Sequence, residues 1–136
     1  MTHRLVIDTD GPGLYEFTSA LQPLARGSGV MNLFVRHTSA SLIVQENADP
    51  SVQADLLEFF RRLAPHVTDP SMSWVRHRSE GPDDMPAHIK AAVLPVSLTI
   101  PVVDGHLGLG TWQGVYLFEH RDAPHRREVL VTPVGA

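Results

Sequence analysis

The sequence predicts a single α+β domain, residues 1–136. The chain is long enough for one hydrophobic core, because about 150 residues bury roughly 68–70% of their unfolded surface. Hydrophobic spacing switches several times between strand-like runs and a period near 3.6, which indicates strands and helices in one mixed domain. The C-terminal third is typical of β-structure, with Asp104-Gly105 between two apolar runs.

The first half is predicted to contain three strands and a short helix. Val6 and Ile7 indicate a first strand, followed by a turn-prone segment at residues 8–13. Thr18 and Ser19 can cap a helix that extends to residue 25, with Pro23 in its first turn. Residues 31–36 and 41–45 are rich in large apolar side chains and predict two further strands.

The clearest helix is predicted to begin after Asp49. Asp49 can cap it, and Pro50 can occupy the first helical position, where its missing N–H costs nothing. Pro65 ends it. Apolar side chains follow at near-helical spacing, which predicts a buried stripe of Val52, Leu56, Phe59, Phe60 and Leu63. If this stripe is buried, Phe59→Ala should cost about 3–5 kcal/mol.

The second half is predicted to contain one helix and a β-rich end. A polar segment at residues 69–84 has Trp74 and Val75 as apolar anchors, and a helix begins at Met85-Pro86. Strands are predicted at residues 97–103, 106–111, 115–118 and 129–134. The first two flank Asp104-Gly105, which suits a type I′ hairpin turn.

Composition excludes several classes of protein. There is no cysteine, which excludes disulfides, iron–sulfur clusters and thiolate zinc sites. A net charge of −4 argues against nucleic acid as a partner. The N-terminus lacks the apolar region of a signal peptide, and no run approaches 18 apolar residues. We therefore expect a cytoplasmic protein that contacts no membrane.

Histidine and carboxylate side chains are the candidates for chemistry. The eight histidines lack metal-binding spacing, so a metal site must assemble from distant segments. His88 is predicted in the first turn of a helix, where the dipole favours neutral imidazole. Asp83 and Asp84 suit either Mg²⁺ binding or capping of that helix. Ser39 and Ser41 could act as nucleophiles with His37 as base, or bond their own backbone.

Four segments resemble the YjbQ-like family, also called secondary thiamine-phosphate synthase. They are residues 37–42, 46–50, 83–90 and 97–115, in the family's order and spanning nearly the whole chain. The resemblance implies sandwich-like mixed sheets with two or three short helices, assembled as a homotrimer.

The resemblance also implies the site residues. The family's motif histidines correspond to His37, His77 and His88, which implies one divalent metal, zinc, or Mg²⁺ if the substrate is phosphorylated. His120 is a less favoured candidate for a metal ligand than these three histidines. The implied catalytic residues are Glu46, Asn47, Asp49 and Gln113. The expected substrate-binding residues are Ser39, Ser41, Asp83, Asp84, Lys90 and Arg121.

Three functions remain open at this point. The family name implies condensation of a pyrimidine pyrophosphate with a thiazole phosphate, which needs cations at the leaving group. The residue types suit a metal-dependent hydrolase of a small phosphorylated or amide metabolite, with Glu46 as general base. A non-catalytic trimeric binding module is the third. A small molecule is the expected partner of the first two.

Overall fold

Eight strands form two antiparallel sheets in the computed structural model, which describes residues 1–135. The five-stranded sheet contains, in spatial order, β1 (His3–Asp10), β8 (Pro124–Val134), β3 (Gly29–Val35), β5 (Ser97–Val103) and β6 (His106–Leu107). The three-stranded sheet contains β2 (Gly13–Glu16), β7 (Gln113–Glu119) and β4 (Ala40–Glu46). Three α-helices join them: α1 (Thr18–Leu21), α2 (Pro50–Leu63) and α3 (Asp84–Val93). The predicted α+β class with sandwich-like sheets is confirmed.

The main core lies between the two sheets. Leu33 and Val131 contribute to it from the five-stranded sheet, and Leu42 and Leu117 contribute from the three-stranded sheet. Strands of the larger sheet alternate between buried and exposed positions, because only one of its faces is covered. From Gly114 onward β7 is buried at every position, so it is covered on both faces. The C-terminal end of β7, at Glu119, therefore lies in the protein interior.

The hairpin and the cap of α2 follow the sequence prediction. Asp104 and Gly105 both have positive φ, 49° and 78°, as a type I′ turn requires. Asp49 caps α2, with its Oδ1 accepting from the Ser51 N–H at 2.9 Å. Only two residues of the predicted strand 106–111 pair with β5, so that strand is shorter than expected. No helix within residues 1–135 combines the length and apolarity needed to cross a bilayer.

The predicted apolar stripe of α2 is wrong at two positions. Phe59 is 58% exposed and Leu63 is 49% exposed. Phe60 instead packs edge-on against Phe118 of β7, with ring centroids 5.4 Å apart. The buried face of α2 is therefore rotated from the predicted one, and the expected large cost of Phe59→Ala does not apply.

Alanine substitution of each of the two adjacent phenylalanines should show which face of α2 is buried. Phe60→Ala is expected to lower the free energy of unfolding by about 2 kcal/mol, because it removes an aromatic contact and leaves a partial cavity. Phe59→Ala should cost less than about 1 kcal/mol, since most of its ring is already in water. Urea unfolding of the matched pair measures both values, and equal losses would contradict this packing.

The segment before α3 has its own small core. Val67, Met72 and Val75 are buried there, whereas Trp74, a predicted anchor, is 63% exposed. The Arg78 guanidinium donates to the carbonyl oxygens of these same three buried residues, at 2.8–3.2 Å. This network fixes the loop immediately after His77, and so it positions the His77 side chain.

Candidate functional site

The predicted site residues fall into two groups at opposite ends of β4. His37 lies just before the Ala40 end, whereas Asn47 follows the Glu46 end. Gln113 pairs with Glu46 across the sheet. A seven-residue strand at about 3.3 Å per residue separates its ends by about 20 Å. The two groups therefore do not share a pocket within one chain.

The first group contains a cluster of two histidines and one aspartate. The Oδ2 atom of Asp84 lies 2.7 Å from His77 Nε2 and 3.1 Å from His88 Nε2. The three atoms all lie within 4.8 Å of one another, close enough to hold one ion. Asp84 is buried, His88 is partly exposed and His77 is exposed. The cluster thus has a fixed buried carboxylate and a side open to solvent.

Helix α3 supplies two of the three side chains. It begins at Asp84, so Asp84 and His88 are four residues apart and lie on the same helix face. His88 is consequently one turn inside the helix, not in the first turn as predicted. The loop fixed by Arg78 adds His77, whose ring centroid lies 5.6 Å from that of His88.

Hydrogen bonding constrains the tautomer of His88. Its Nδ1 lies 3.1 Å from the carbonyl oxygen of Thr38, which can only accept, so Nδ1 carries the proton. In the neutral ring Nε2 then has a lone pair, and this lone pair faces the Asp84 carboxylate. Two facing acceptors are stable only with a cation between them, either a proton or a metal ion. A backbone carbonyl behind the imidazole is also the usual support of a metal-binding histidine.

Charge coupling shifts the pKa values of this cluster in opposite directions. The hydrogen bond with Asp84 raises the pKa of His77 above its ordinary value of 6.5. Burial alone would raise the pKa of Asp84, but the hydrogen bond from His77 and the charge of Arg121 outweigh it and lower the pKa. Asp84 is therefore an anion at neutral pH, as a metal ligand must be.

Arg121 holds both aspartates of the predicted substrate-binding set. Its Nε donates to Asp83 Oδ2 at 2.8 Å, and its Nη1 donates to Asp84 Oδ1 at 2.6 Å. A third bond reaches the Glu80 carbonyl oxygen. Asp83, the residue before α3, makes no side-chain capping bond. Both carboxylates thus bind Arg121, and the guanidinium turns the other oxygen of Asp84 toward the histidines.

A buried ion pair lies next to Arg121 and was not singled out from the sequence. Glu119 and Arg127 are 0% and 3% exposed, and Arg127 donates to both carboxylate oxygens of Glu119. Glu119 also accepts from Thr9 Oγ1 at 2.5 Å and from the Arg121 N–H at 3.1 Å. One signal was available: Arg127 shares the strand face of the buried Val129 and Val131.

His37 is near the cluster but does not join it. No His37 nitrogen lies within 4.8 Å of all three cluster atoms. Its Nε2 accepts from the Glu128 N–H at 2.8 Å, so that lone pair is occupied. Burial and the charge of Arg127 lower its pKa. His37 and His88 do line one open cavity of about 260 Å³. Of the three predicted metal ligands, His77 and His88 therefore meet at Asp84, and His37 lies beside them.

The predicted serines lie inside the protein. Ser39 is 8% exposed and its Oγ accepts from Arg127 at 3.0 Å. Ser41 is fully buried and its Oγ lies 2.9 Å from His120 Nε2. Neither serine forms a hydrogen bond with His37. His120 is also buried, and its Nδ1 has no hydrogen-bond partner among the described residues. Burial lowers the pKa of His120 to about 3.

The buried His120 should make the stability of the protein sensitive to acid. Because its pKa is about 3 in the folded state and about 6.5 in the unfolded state, only the unfolded chain binds its proton between these values. The free energy of unfolding should therefore fall as the pH drops below about 6.5, by up to about 1.4 kcal/mol per pH unit from this residue. Urea unfolding of the protein and of His120→Gln across this pH range tests the prediction. In the variant, the free energy of unfolding should change less steeply with pH, by the contribution of one proton. An unchanged slope would contradict the prediction.

The second group makes local structural bonds. Glu46 accepts from the Asp49 N–H at 3.2 Å, Asn47 donates to Glu16 at 3.3 Å, and Gln113 accepts from the Gly110 N–H at 2.7 Å. Together with the Asp49 cap of α2, these bonds hold the loops at the far end of β4. Lys90 is also apart from the cluster, because it faces a cavity between α2 and α3.

Fold and site together define a small α+β protein with two packed sheets and a solvent-reachable histidine–aspartate cluster at the start of a helix. The chain belongs to the family described as UPF0047 protein YjbQ-like, which matches residues 4–136. The predicted resemblance is thereby confirmed.

Relatives and solved structures agree with this membership. The chain is 54% identical over 135 residues to UPF0047 protein sll1880 of Synechocystis, covering 96% of this chain and 89% of the relative. It is 45% identical over 117 residues to UPF0047 protein YjbQ of Salmonella typhimurium, covering 86% and 80%. A conserved hypothetical protein from Thermus thermophilus, TT1486, superposes with a TM-score of 0.85 at 36% identity, covering 97% and 99%.

Proposed function

We propose that this protein is a metal-dependent hydrolase of a small phosphorylated or amide metabolite, with one divalent ion held by His77, Asp84 and His88. The observation that carries the proposal is that two imidazole nitrogens meet one carboxylate oxygen, at 2.7 and 3.1 Å. Two histidines and one carboxylate are the ligands of many mononuclear catalytic centres, which keep open positions for substrate or water. Imidazole nitrogen favours zinc over Mg²⁺, because Mg²⁺ prefers oxygen ligands.

The residues around the cluster suit this chemistry. A bound divalent ion would supply Lewis-acid polarisation of the substrate and lower the pKa of water. Thr38 fixes the ring of His88, and Arg121 fixes Asp84. Glu80 is exposed and lies 3.3 Å from His77, so we propose it as the proton acceptor in place of Glu46, which lies at the far end of β4.

Thiamine-phosphate formation, implied by the family name, is supported less well by these contacts. Joining a pyrimidine pyrophosphate to a thiazole phosphate needs a cation that is free to neutralise the departing pyrophosphate. Arg121, one of the two cations in the predicted substrate-binding set, is engaged by Asp83, Asp84 and the Glu80 carbonyl. Lys90, the other, lines a separate cavity. We therefore rank hydrolysis above group transfer, and above a purely non-catalytic role.

We further propose that the chain assembles as a homotrimer through the outer face of the five-stranded sheet. Val6, Val30, Phe34 and Val134 are all 36–54% exposed there. They come from three adjacent strands, so they form one apolar surface of the kind that subunit contacts cover. Light scattering coupled to gel filtration measures the mass, and a monomer would contradict this assembly.

The hydrolase proposal is tested by metal loading followed by turnover. The metal-stripped protein is titrated with Zn²⁺, Mn²⁺ and Mg²⁺ by calorimetry, and hydrolysis of p-nitrophenyl phosphate and of an acyl p-nitroanilide is then followed. We expect one ion per chain, with Zn²⁺ tighter than Mg²⁺, and metal-dependent release of p-nitrophenol or p-nitroaniline. A parallel assay for pyrophosphate release from the pyrimidine and thiazole substrates separates hydrolysis from group transfer.

Two histidine variants make this test specific. His88→Ala removes a proposed ligand, whereas His106→Ala removes an exposed histidine whose bond lies within the Asp104-Gly105 turn region. We expect loss of metal binding and turnover only in His88→Ala, with both variants folded. Metal binding that survives in His88→Ala, or a loss that is equal in both variants, would refute the proposed centre.

A further inference from the structure

A second cavity lies between α2 and α3, away from the histidine–aspartate cluster. Its volume is about 340 Å³. Apolar side chains form most of its wall: Leu57, Ala64 and Pro65 from α2 and the residues after it, and Pro12 from the turn between β1 and β2. Four charged or titratable side chains also line it: Arg61, His66, Lys90 and Asp122. The lining of this cavity is therefore mostly apolar, with a few charged side chains.

Three of these four side chains already have partners. Arg61 binds Glu58 through two guanidinium nitrogens. His66 Nε2 lies 2.9 Å from Asp122 Oδ2. Lys90 is different, because it is half-buried on this cavity and its ammonium group forms no hydrogen bond or ion pair with the described residues.

Lys90 is also the single lysine of the chain, since the other ten basic residues are arginines. Lysine carries one compact charge at the end of a flexible stem, whereas arginine presents a planar fork suited to two oxygens. One half-buried ammonium group, which has no partner within residues 1–135, therefore faces a largely apolar cavity. A half-buried cation is stabilised when an anion pairs with it.

We propose that this cavity binds a small organic monocarboxylate, with its carboxylate on Lys90 and its apolar body against Leu57, Ala64 and Pro65. Lys90 is the one cation of this lining without a hydrogen-bonded partner among the described residues, and it matches a single negative charge. A phosphate monoester carries close to two charges at neutral pH and would need a second cation, but Glu58 already holds the Nε and Nη2 atoms of Arg61. The Asp122 carboxylate on the same cavity further disfavours a dianion.

This site is independent of the proposed metal centre. His88 and Lys90 are two residues apart in α3, so their side chains diverge by about 200° around the helix axis. The two cavities that they line have no residue in common. Failure of one proposal therefore leaves the other standing.

The single lysine allows a direct test in the full-length protein. Protein labelled with ¹³Cε-lysine gives one side-chain signal, which belongs to Lys90. We expect 3-phenylpropanoate to shift this signal saturably, while the neutral 3-phenylpropanamide binds at least tenfold more weakly. Phenyl phosphate should also bind more weakly than the carboxylate. Equal binding of the amide, or tighter binding of phenyl phosphate, would overturn the proposal.

Two variants separate a binding role from a structural one. In Lys90→Met the affinity for 3-phenylpropanoate, measured by calorimetry, should fall at least tenfold while the melting temperature stays the same or rises. In His88→Ala the affinity for 3-phenylpropanoate should be unchanged. Affinity that survives in Lys90→Met, or that falls equally in both variants, would overturn the assignment.

Discussion

Glu119→Leu is expected to lower the free energy of unfolding by about 3–5 kcal/mol. Arg127 is 3% exposed, and the substitution leaves its guanidinium buried with only Ser39 as a partner. The backbone N–H groups of His120 and Arg121 lose their acceptor at the same time. Urea unfolding monitored by circular dichroism measures the loss.

A double variant distinguishes loss of the ion pair from loss of packing. Glu119→Leu combined with Arg127→Met removes both charges and keeps apolar volume in their place, so it should recover a large part of the stability lost in the single variant. A single-variant loss below about 1 kcal/mol, or no recovery in the double variant, would mean that the pair is not a closed buried network.

Local signals explain why most of the fold could be predicted from the sequence. The Asp49 cap, the positive-φ pair at residues 104 and 105, and the strand runs all depend on residues close together in the chain. The errors concern packing. Phe59 and Phe60 are neighbours with the same propensities, and only the position of Phe118 on β7 decides which ring packs against it. Strand β2 was missed because it has only four residues, which is too short a run to show a clear alternation.

The candidate site was predictable only in part, for the same reason. His77, Asp84 and His88 lie in one stretch of the chain, so local structure brings them together. Glu46 and Gln113 were predicted as catalytic residues of the same site, but the register of β4 with β7 places them at the other end of the sheet. The Glu119–Arg127 pair joins the two sheets, and their packing cannot be read from local sequence.

Asp84→Asn is expected to weaken metal binding by about 100-fold or more, because it replaces an anionic ligand with a neutral amide. The amide keeps one oxygen that can still accept from Arg121 and puts an NH₂ group where Oδ2 meets the histidines. Asp83→Asn is the matched control, since Asp83 binds Arg121 and the Asp122 N–H but neither histidine. Calorimetric titration with Zn²⁺ should therefore separate two neighbouring aspartates that differ only in what they face.

The same pair of variants gives a second readout that needs no metal. The hydrogen bond with Asp84 raises the pKa of His77, so this contact stabilises the fold fully below about pH 6.5, and the effect is lost as the pH rises through the higher folded-state pKa. In Asp84→Asn the pKa of His77, followed by NMR, should return toward its ordinary value, whereas in Asp83→Asn it should stay raised. If the pKa falls in Asp84→Asn while Zn²⁺ affinity is unchanged, the contact is real but the ion binds elsewhere. If neither changes, the His77–Asp84 contact does not form in solution, and the proposed centre loses its carboxylate.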